Sequence, residues 1–245
     1  MKRRSVLAGL GALLTAGCSK IGDSKAFGGL VDGAEKLHRG AHRLIGGRAP
    51  MAREFSAADI SPFFRGNGNT EIDRPDYQAH AAAGFADWRL NVRGLVERPL
   101  TLTLEQIRAL PQRTQITRHD CVEGWSAIGQ WTGPQLSAIL ALAGVQETAK
   151  FIVFRCADDF RGVPYYESCD LDDAMHPQTI VAHQLNGAPL PVRNGAPLRM
   201  RIERQLGYKH AKYLTAIEAV ASLDGIEGGG GGYWEDRGYQ WYAGV

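Results

Sequence analysis

One cysteine, Cys121, stands in a polar stretch whose residue types could support chemistry. The stretch is RHDCVEGWSAIGQW, Arg118 to Trp131, and it surrounds the thiol with charged, aromatic and glycine residues. A thiolate is both a nucleophile and a soft metal ligand, and positive charge on Arg118 or His119 would lower the pKa of the cysteine. The local sequence leaves three roles open: a metal ligand, a catalytic nucleophile, or an inert buried side chain.

A second stretch, Pro191 to Leu214, concentrates side chains that can bind a phosphate. Its sequence, PVRNGAPLRMRIERQLGYKHAKYL, is rich in Arg, Lys, Asn and Gly. A planar guanidinium makes paired hydrogen bonds to a phosphate group, so arginine is favoured in such sites. The alternative is a basic pair of strands on the protein surface.

Together the two stretches resemble the molybdopterin domain of the sulfite oxidase family. Cys121 to Trp125 has the form Cys-Val-Glu-x-Trp, which is similar to the branch that contains bacterial periplasmic methionine sulfoxide reductases. The second stretch is similar to the family pattern Asn/His-Gly-x-Pro-x-Arg followed by x-x-Lys-Trp, with Tyr213 in place of the Trp. The resemblance runs from about Phe64 to the C-terminus. It implies a sulfite oxidase-type α+β domain and a molybdenum-molybdopterin cofactor.

The resemblance also implies roles for particular residues. Cys121 is the implied molybdenum ligand, and sulfur ligands suit a metal that cycles between oxidation states. Tyr239 and Arg65 are implied near the metal, where they would orient the substrate. The residues implied in cofactor binding are Asn67, Cys121, Cys156, Asn194, Arg199, His210, Ala211 and Lys212.

The loop after Cys121 departs from the sulfite-oxidising pattern of the family. Sulfite oxidases continue from the metal cysteine into two arginines, whereas Glu123 and Trp125 stand here. An acidic residue near the metal disfavours a dianion such as sulfite unless Arg65 or Arg118 compensates. We therefore expect a small-molecule S-oxide or N-oxide substrate, with oxidation of the oxyanion sulfite as the alternative.

Two functions of other classes stay open on the sequence. A Cys-His hydrolase would use Cys121 with His119, which lie two residues apart and so on one face of a strand. A non-enzymatic lipoprotein would keep the fold as a binding module. If the protein is an oxidoreductase, it needs a separate electron-transfer partner, a cytochrome or a membrane haem protein, since these residues contain no CxxCH haem motif.

Two further cysteines, Cys156 and Cys169, could pair as a disulfide in an exported protein. A zinc site that combines them with His176 and His183 is the weaker interpretation, because the spacings match no standard zinc motif.

Length and charge limit the class of protein. A chain of 245 residues with 44% hydrophobic and 22% charged residues is typical of a soluble globular protein with one substantial core. The formal charge of +2 includes Lys2, Arg3 and Arg4, without which 25 basic residues face 26 acidic ones. This balance does not indicate nucleic-acid binding.

Residues 1–17 are predicted to be an export signal. They have a basic start, an apolar run from Val6 to Ala16 too short to span a bilayer, and small residues before Cys18. Arg3 and Arg4 suit the twin-arginine route, which exports folded proteins, and an ordinary secretory signal is the alternative. The segment before Cys18 resembles a bacterial lipobox, so a lipid anchor at Cys18 and a periplasmic or exported location are expected.

The remaining chain is predicted to be a linker, 18–62, followed by the molybdopterin-binding oxidoreductase domain, 63–245. Hydrophobic patterning predicts an α+β domain of mixed short-strand sheets with helices, without the strand-helix alternation of a Rossmann sheet. Gly228 to Gly232 is expected to be a flexible surface loop, and the aromatic tail after it is expected to pack or to line a pocket. The predicted strands are Trp88 to Val92, Leu100 to Leu104 and Phe151 to Phe154; helices are predicted after Thr103 and Gly133-Pro134, and hairpin turns at Asn186-Gly187 and Asn194-Gly195.

Overall fold

The computed structural model describes residues 24–46 and 50–245. The chain divides into two compact units, Met1–Gly47 and Arg48–Val245. The predicted export signal, 1–17, and the candidate lipid-anchor residue Cys18 lie outside the described residues. Within the described ranges, no helix has both the length and the apolar character needed to cross a membrane.

The first unit contributes one described helix, α1, which spans Lys25–Gly46. This helix lies within the segment that the sequence predicts to be a linker. Its 22 residues include five glycines, which are weak helix formers.

The second unit is built from short strands and short helices. In chain order its strands are β1 (Arg89–Gly94), β2 (Leu100–Thr103), β3 (Gln112–Cys121), β4 (Trp125–Pro134), β5 (Phe151–Phe160), β6 (Val163–Asp170), β7 (Ile180–Ala182), β8 (Gln184–Leu185), β9 (Ala188–Pro189), β10 (Arg199–Arg201) and β11 (Leu214–Val220). Its α-helices are α2 (Pro75–Ala82), α3 (Leu104–Ala109), α4 (Leu136–Ala143) and α5 (Leu171–Ala174). Single 3-10 turns occur at Ala57–Asp59, Val192–Asn194, Gly207–Lys209 and Glu235–Arg237.

The strands form three sheets. The largest has the order β2-β1-β11-β5-β6, in which β1 and β11 are parallel and the other pairs are antiparallel. A second, antiparallel sheet has the order β3-β4-β8-β9, and β7 pairs with β10. This arrangement confirms the predicted α+β class, since most strands pair through antiparallel neighbours rather than through helical crossovers.

The local signals for α3 and α4 are largely confirmed. Thr103 caps α3 by accepting a hydrogen bond from the Gln106 amide at 3.1 Å, and the Gln106 side chain accepts one from the Thr103 amide at 2.9 Å. Helix α4 ends at Gly144, whose φ of 68° is left-handed. It starts later than predicted because Gly133 and Pro134 belong to β4, and a Cβ atom at Gly133 would lie 2.1 Å from the Val181 carbonyl oxygen.

One of the two predicted hairpin turns is correct. Asn186 and Gly187 join β8 to β9 with φ values of 52° and 77°, as a type I′ turn requires. The prediction at Asn194-Gly195 is wrong. Asn194 ends a 3-10 turn and Gly195 alone has a positive φ, 106°, so the pair caps that turn and does not join two strands.

Part of the predicted linker hydrogen-bonds to the second unit's sheets. Glu54 forms an antiparallel bridge with Thr117, and the Phe55 amide donates to the Ile116 carbonyl at 2.8 Å. The Gln178 side chain accepts a hydrogen bond from the Ala52 amide and donates one to the Ala52 carbonyl. Residues 50–62 therefore include a segment that adds to the edge of β3.

The glycine-rich loop is fixed by hydrogen bonds, which corrects the prediction that it is flexible. The Asp236 carboxylate accepts the amide hydrogens of Gly228 at 3.1 Å and Gly230 at 2.8 Å, and it also accepts the Tyr166 hydroxyl at 2.7 Å. The aromatic tail packs as predicted, with Trp241 edge-on against Phe151.

A buried ion cluster ties the C-terminal segment to the sheet. Lys209 contacts Glu167 of β6 at 2.8 Å and also Glu235, and all three side chains are at most 1% exposed. Desolvation by burial raises the pKa of Glu167 well above its usual range. Buried charges of this kind are stable only while each has its partner.

We predict that Lys209→Met lowers the free energy of unfolding by about 3–5 kcal/mol, because it leaves two buried carboxylates without their cation. Chemical denaturation measures this change. Lys150→Met, at an exposed lysine, is the matched control and should shift the unfolding midpoint little. Equal unfolding midpoints for the two variants would contradict the structural role of the cluster.

Candidate active site

Cys121 is the last residue of β3 and lies at the tip of a hairpin. It pairs with Trp125, the first residue of β4, across a three-residue turn. Gly124 closes the turn with a φ of 85° and donates its amide to the Cys121 carbonyl at 3.0 Å. The thiol is 9% exposed and borders a cleft. The hairpin therefore presents one sulfur atom on a rigid support.

Burial raises the pKa of the Cys121 thiol, and this effect outweighs the hydrogen bond from the Glu123 amide and the nearby charges of Arg199 and Arg65. The expected help from Arg118 is absent, because that guanidinium pairs with Asp120 at 2.9 Å. An unaided Cys121 is thus a protonated thiol at neutral pH. A bound metal would displace that proton, since the thiolate is the ligand form.

The cleft beside Cys121 has a volume of about 170 Å³. One wall consists of five aromatic side chains, Phe160, Tyr165, Tyr208, Trp234 and Tyr239. The cleft is also lined by the Cys121–Glu123 turn and by Asn67 and Asn69. The lining therefore combines an aromatic surface with a few polar groups, as ligand sites commonly do.

Tyr239 lies at this cleft, so the structure brings it together with Cys121. Its ring stacks on Trp234 at a centroid distance of 5.3 Å and meets Tyr208 edge-on at 5.3 Å. The side chain is 39% exposed. Tyr239 therefore belongs to the accessible part of the aromatic wall. Trp234 belongs to the aromatic tail that was expected to pack or to line a pocket, whereas sequence reasoning missed Phe160, Tyr165 and Tyr208, which come from separate segments.

Lys212 and Asp158 line the same cleft and interact electrostatically. The Lys212 ammonium donates to the carbonyls of Asn69 and Arg193, the latter at 3.2 Å. Burial and the charge of Arg199 lower the pKa of Lys212 to about 7. Burial raises the pKa of Asp158 to about 6, although the Asn69 amide donates to it at 3.0 Å. No sequence motif marked Asp158 or Asn69 as a site residue.

Arg199 lies fully buried behind the cleft with no carboxylate partner among the described residues. It donates to the Asn194 carbonyl at 2.9 Å and, more weakly, to the Asn67 side chain at 3.5 Å. Burial and the neighbouring charge of Arg201 lower the pKa of Arg199 to about 9. Three residues predicted to bind the cofactor, Asn67, Asn194 and Arg199, are therefore in direct contact.

Arg201 differs from Arg199 because it is neutralised. It pairs with Glu203 at 2.6 Å and its guanidinium contacts Nδ1 of His119 at 2.8 Å. A guanidinium can only donate, so Nδ1 of His119 accepts and the imidazole is neutral with its proton on Nε2. Burial lowers the pKa of His119 well below its usual range. His119 is thus engaged by Arg201 and does not act as the base of a Cys-His pair.

Not all predicted residues converge on the cleft. The Arg65 side chain is exposed and does not line the cleft, and its carbonyl accepts from the Asn194 side chain at 3.5 Å. Cys156 borders a different cleft, with Arg74 and Trp88. Ala211 is buried and its carbonyl accepts the Met200 amide at 2.7 Å.

Cys156 and Cys169 are free thiols, so the disulfide considered from the sequence does not form. Cys169 pairs with Ile152 across β5 and β6, and Cys156 lies four residues further along β5. Four residues of strand correspond to about 13 Å, beyond the reach of a disulfide. Across the described ranges, no cluster of three or more His, Cys, Asp or Glu side chains could hold a metal, which also removes the zinc interpretation for this part of the chain.

The residues around the cleft fit an anionic, highly polar cofactor. Arg199 Nε, His210 Nδ1 and Asp158 Oδ1 are buried without hydrogen-bond partners. Such groups are costly unless a ligand satisfies them. The low pKa values of Arg199 and Lys212 report positive charge that a phosphate or a dithiolene would neutralise. Molybdopterin would supply anionic groups for Arg199 and Lys212 and ring donors and acceptors for the unpartnered atoms, and Cys121 would supply a thiolate for its metal.

Comparisons with known proteins agree with this chemistry. Residues 77–224 match the family described as "Oxidoreductase molybdopterin binding domain". A putative protein-methionine-sulfoxide reductase subunit, YedZ1 of Azospira oryzae, is 42% identical over 80% of this chain and 68% of its own length. The protein-methionine-sulfoxide reductase catalytic subunit MsrP of Xanthomonas campestris is 35% identical over 57% of this chain, and the match spans 47% of that relative's length.

A solved structure shows the same fold. The sulfane dehydrogenase SoxCD from Paracoccus pantotrophus has a TM-score of 0.52 and 23% sequence identity, over 58% of this chain and 40% of that one. The matched domain, the relatives and the geometry around Cys121 all agree on the cofactor class. The protein therefore belongs to the molybdopterin-binding oxidoreductases of the sulfite oxidase family.

Proposed function

We propose that this protein reduces S-oxides by oxygen-atom transfer at a molybdenum held by Cys121. The observation that carries this proposal is the charge of the cleft. Among the described residues that line it, the charged side chains are Glu123, Asp158 and Lys212. A neutral sulfoxide is compatible with that balance, whereas a dianion such as sulfite would need converging cations.

The carboxylate of Glu123 is fixed at the cleft. It accepts the Trp125 indole hydrogen at 2.9 Å and the Gly68 amide at 3.3 Å. Arg118 does not offset this carboxylate because it pairs with Asp120, and Arg65, whose charge reaches Cys121, is exposed to solvent and does not line the cleft. The departure of the Glu123 loop from the sulfite-oxidising pattern therefore also places a negative charge at the cleft.

The names of the relatives support the same substrate class. YedZ1 and MsrP are both described as protein-methionine-sulfoxide reductase subunits. We extend that description to this chain as a proposal, with N-oxides as further candidate substrates and sulfite oxidation as the alternative reaction.

Each side chain has a defined task in the proposed reaction, in which a sulfoxide takes up two electrons and two protons and yields a thioether and water. When bound, the molybdenum group supplies the oxygen-atom transfer. Cys121 holds the metal, and Arg199 and Lys212 bind the cofactor's anionic groups. The aromatic wall excludes water and contacts the apolar substituents of the sulfoxide, and the Tyr239 hydroxyl donates a hydrogen bond that orients its oxygen.

We further propose that the electrons come from a separate cytochrome or membrane haem protein, and that the protein is exported to the periplasm with a lipid anchor at Cys18. The composition of residues 1–18 supports export and the anchor, and the lack of a CxxCH haem motif among the 245 residues supports a separate electron donor. Replacement of Arg3 and Arg4 by lysine should retain the protein in the cytoplasm on fractionation, and undiminished export would indicate an ordinary secretory signal.

We predict that Cys121→Ser loses molybdenum coordination and reduces turnover to the detection limit, because a serine hydroxyl is a poor ligand for a soft, redox-active metal. Metal analysis of protein made in a host that synthesises molybdopterin should give about one molybdenum per chain for the native protein. Cys169→Ser, at a buried cysteine outside the cleft, is the matched control. Full activity of Cys121→Ser would refute the ligand assignment.

Arg199→Ala and Lys212→Ala should each reduce pterin content, since each removes a charge-assisted contact worth roughly 1.5–3 kcal/mol. Pterin is measured by fluorescence after release and oxidation. Arg98→Ala removes an exposed arginine that pairs with Glu97 and should retain full occupancy. Normal pterin content in the Arg199 and Lys212 variants would place the cofactor's anionic groups elsewhere.

With an artificial electron donor, we expect small sulfoxides to be reduced with a larger kcat/KM than sulfite is oxidised with an artificial acceptor. The reason is the acidic cleft around Cys121. Steady-state assays of the same molybdenum-loaded preparation decide between the two. A larger kcat/KM for sulfite would reverse the substrate assignment and leave the cofactor assignment intact.

A further inference from the structure

Helix α1 carries an exposed apolar stripe. The residues of the stripe are Phe27, Leu30, Ala34, Leu37, Ala41 and Leu44, spaced alternately by three and four positions. All six are exposed, and the three leucines are 68%, 76% and 85% exposed. Alternating spacing of this kind places side chains on one face of a helix. A continuous exposed apolar face marks a surface that meets another apolar phase.

Helix α1 has low intrinsic stability in water. Five of its 22 residues are glycine, and Gly29, Gly33 and Gly40 have nothing near the position of a Cβ atom. These glycines therefore serve no close packing within the structure. A helix with such poor propensity gains most of its stability in water from burial of its apolar face. The stripe must therefore be covered where this helix persists.

The composition of α1 indicates what covers it. The 22 residues contain four Lys or Arg against two Asp or Glu, and exposed Lys36 lies on the side away from the stripe. A helix of low mean hydropathy, with an apolar face and a basic polar face, is typical of segments that lie in the surface of an anionic membrane. Its charge is thus complementary to such a surface.

The position of α1 in the chain supports the same occupant. The apolar run Val6 to Ala16 and the lipobox-like Cys18 lie just upstream, and six residues separate Cys18 from Lys25. These residues reach at most about 23 Å when fully extended. Any insertion or acylation of the upstream segment would therefore keep the start of α1 within that distance of the bilayer.

We propose that α1 binds flat in the surface of an anionic membrane, with the stripe from Phe27 to Leu44 among the outer acyl groups. A second copy of the chain is the competing occupant. Three heptads with alanine at two of the six stripe positions are short for a coiled coil, which favours the lipid surface. One acyl chain alone anchors only reversibly, so the helix would supply a second attachment. This proposal does not depend on the proposed catalytic function.

The test uses the full chain with one added tryptophan, at Leu37 or at the matched exposed position Leu142 of α4. Vesicles of phosphatidylcholine and phosphatidylglycerol carry bromine on the acyl chains near the headgroup, which quenches indole fluorescence on contact. We expect Leu37→Trp to lose about half of its added emission, because position 37 would lie at that depth, and Leu142→Trp to lose little. Equal quenching of the two variants would overturn the proposal.

Two further measurements separate lipid from protein. In the Leu37→Trp background, Lys36→Gln should raise the lipid concentration needed for half-maximal quenching about fivefold with anionic vesicles, whereas Lys150→Gln should leave it unchanged. An identical effect of the two lysine variants would exclude charge-dependent binding through α1. In sedimentation experiments without vesicles, we expect no dimer that depends on the stripe, so the Leu37→Glu variant should sediment as the native chain does. Such a dimer, combined with absent quenching, would assign the stripe to a second copy and overturn the membrane proposal.

Discussion

The buried positive charge of Arg199 and Lys212 is the constraint on which the site depends. A cation removed from water is unfavourable unless an anion or several acceptors replace the lost hydration. The protein supplies carbonyl oxygens to both side chains, and the pKa of each is nevertheless lowered, to about 9 and about 7. Two other buried cations, Arg201 and Lys209, have carboxylate partners. Arg199 and Lys212, unlike the paired cations, therefore mark the place where a bound anion would complete the structure.

The scaffold around Arg199 serves to hold that charge in position. Trp131 of β4 lies between two guanidinium groups, with its ring 5.0 Å from Arg199 and 4.5 Å from Arg201. The same strand pairs with β3, whose final residue is Cys121. The Cys121 thiol and the Arg199 guanidinium are therefore connected through Trp131 and the pairing of β3 with β4. A rigid sheet can keep a metal ligand and a distant anion site in register better than separate loops can.

The aromatic wall of the cleft combines strand and loop residues. Phe160 and Tyr165 belong to β5 and β6, whereas Tyr208, Trp234 and Tyr239 lie outside the strands, in segments that a buried ion cluster joins. Lys209 joins the turn that carries Tyr208 to Glu235, which follows Trp234. Asp236 fixes the glycine-rich loop that leads into the same segment. Cys121 and Arg199 thus lie on strands, whereas Tyr208, Trp234 and Tyr239 of the wall lie on loops and 3-10 turns. Loops supported on a sheet are the usual place where substrate preference is set.

The sequence alone determined the cofactor class and much of the local structure. Cys121 and the Asn194 to Lys212 pattern are short motifs with fixed spacing, and the Thr103 cap and the Asn186-Gly187 turn depend on neighbouring residues. Such signals survive without knowledge of distant contacts.

Tertiary structure alone decided the charge and the walls of the cleft. Asp158, Asn69, Phe160, Tyr165 and Tyr208 join the predicted Tyr239 and the aromatic tail only in the folded chain. The pairing of Arg118 with Asp120 removed a cation that the sequence could not place. The turn at Asn194-Gly195 and the glycine-rich loop were mispredicted for a related reason, because their conformations depend on packing and on Asp236. Motif spacing is a property of the chain, whereas burial and electrostatics arise only when distant segments meet.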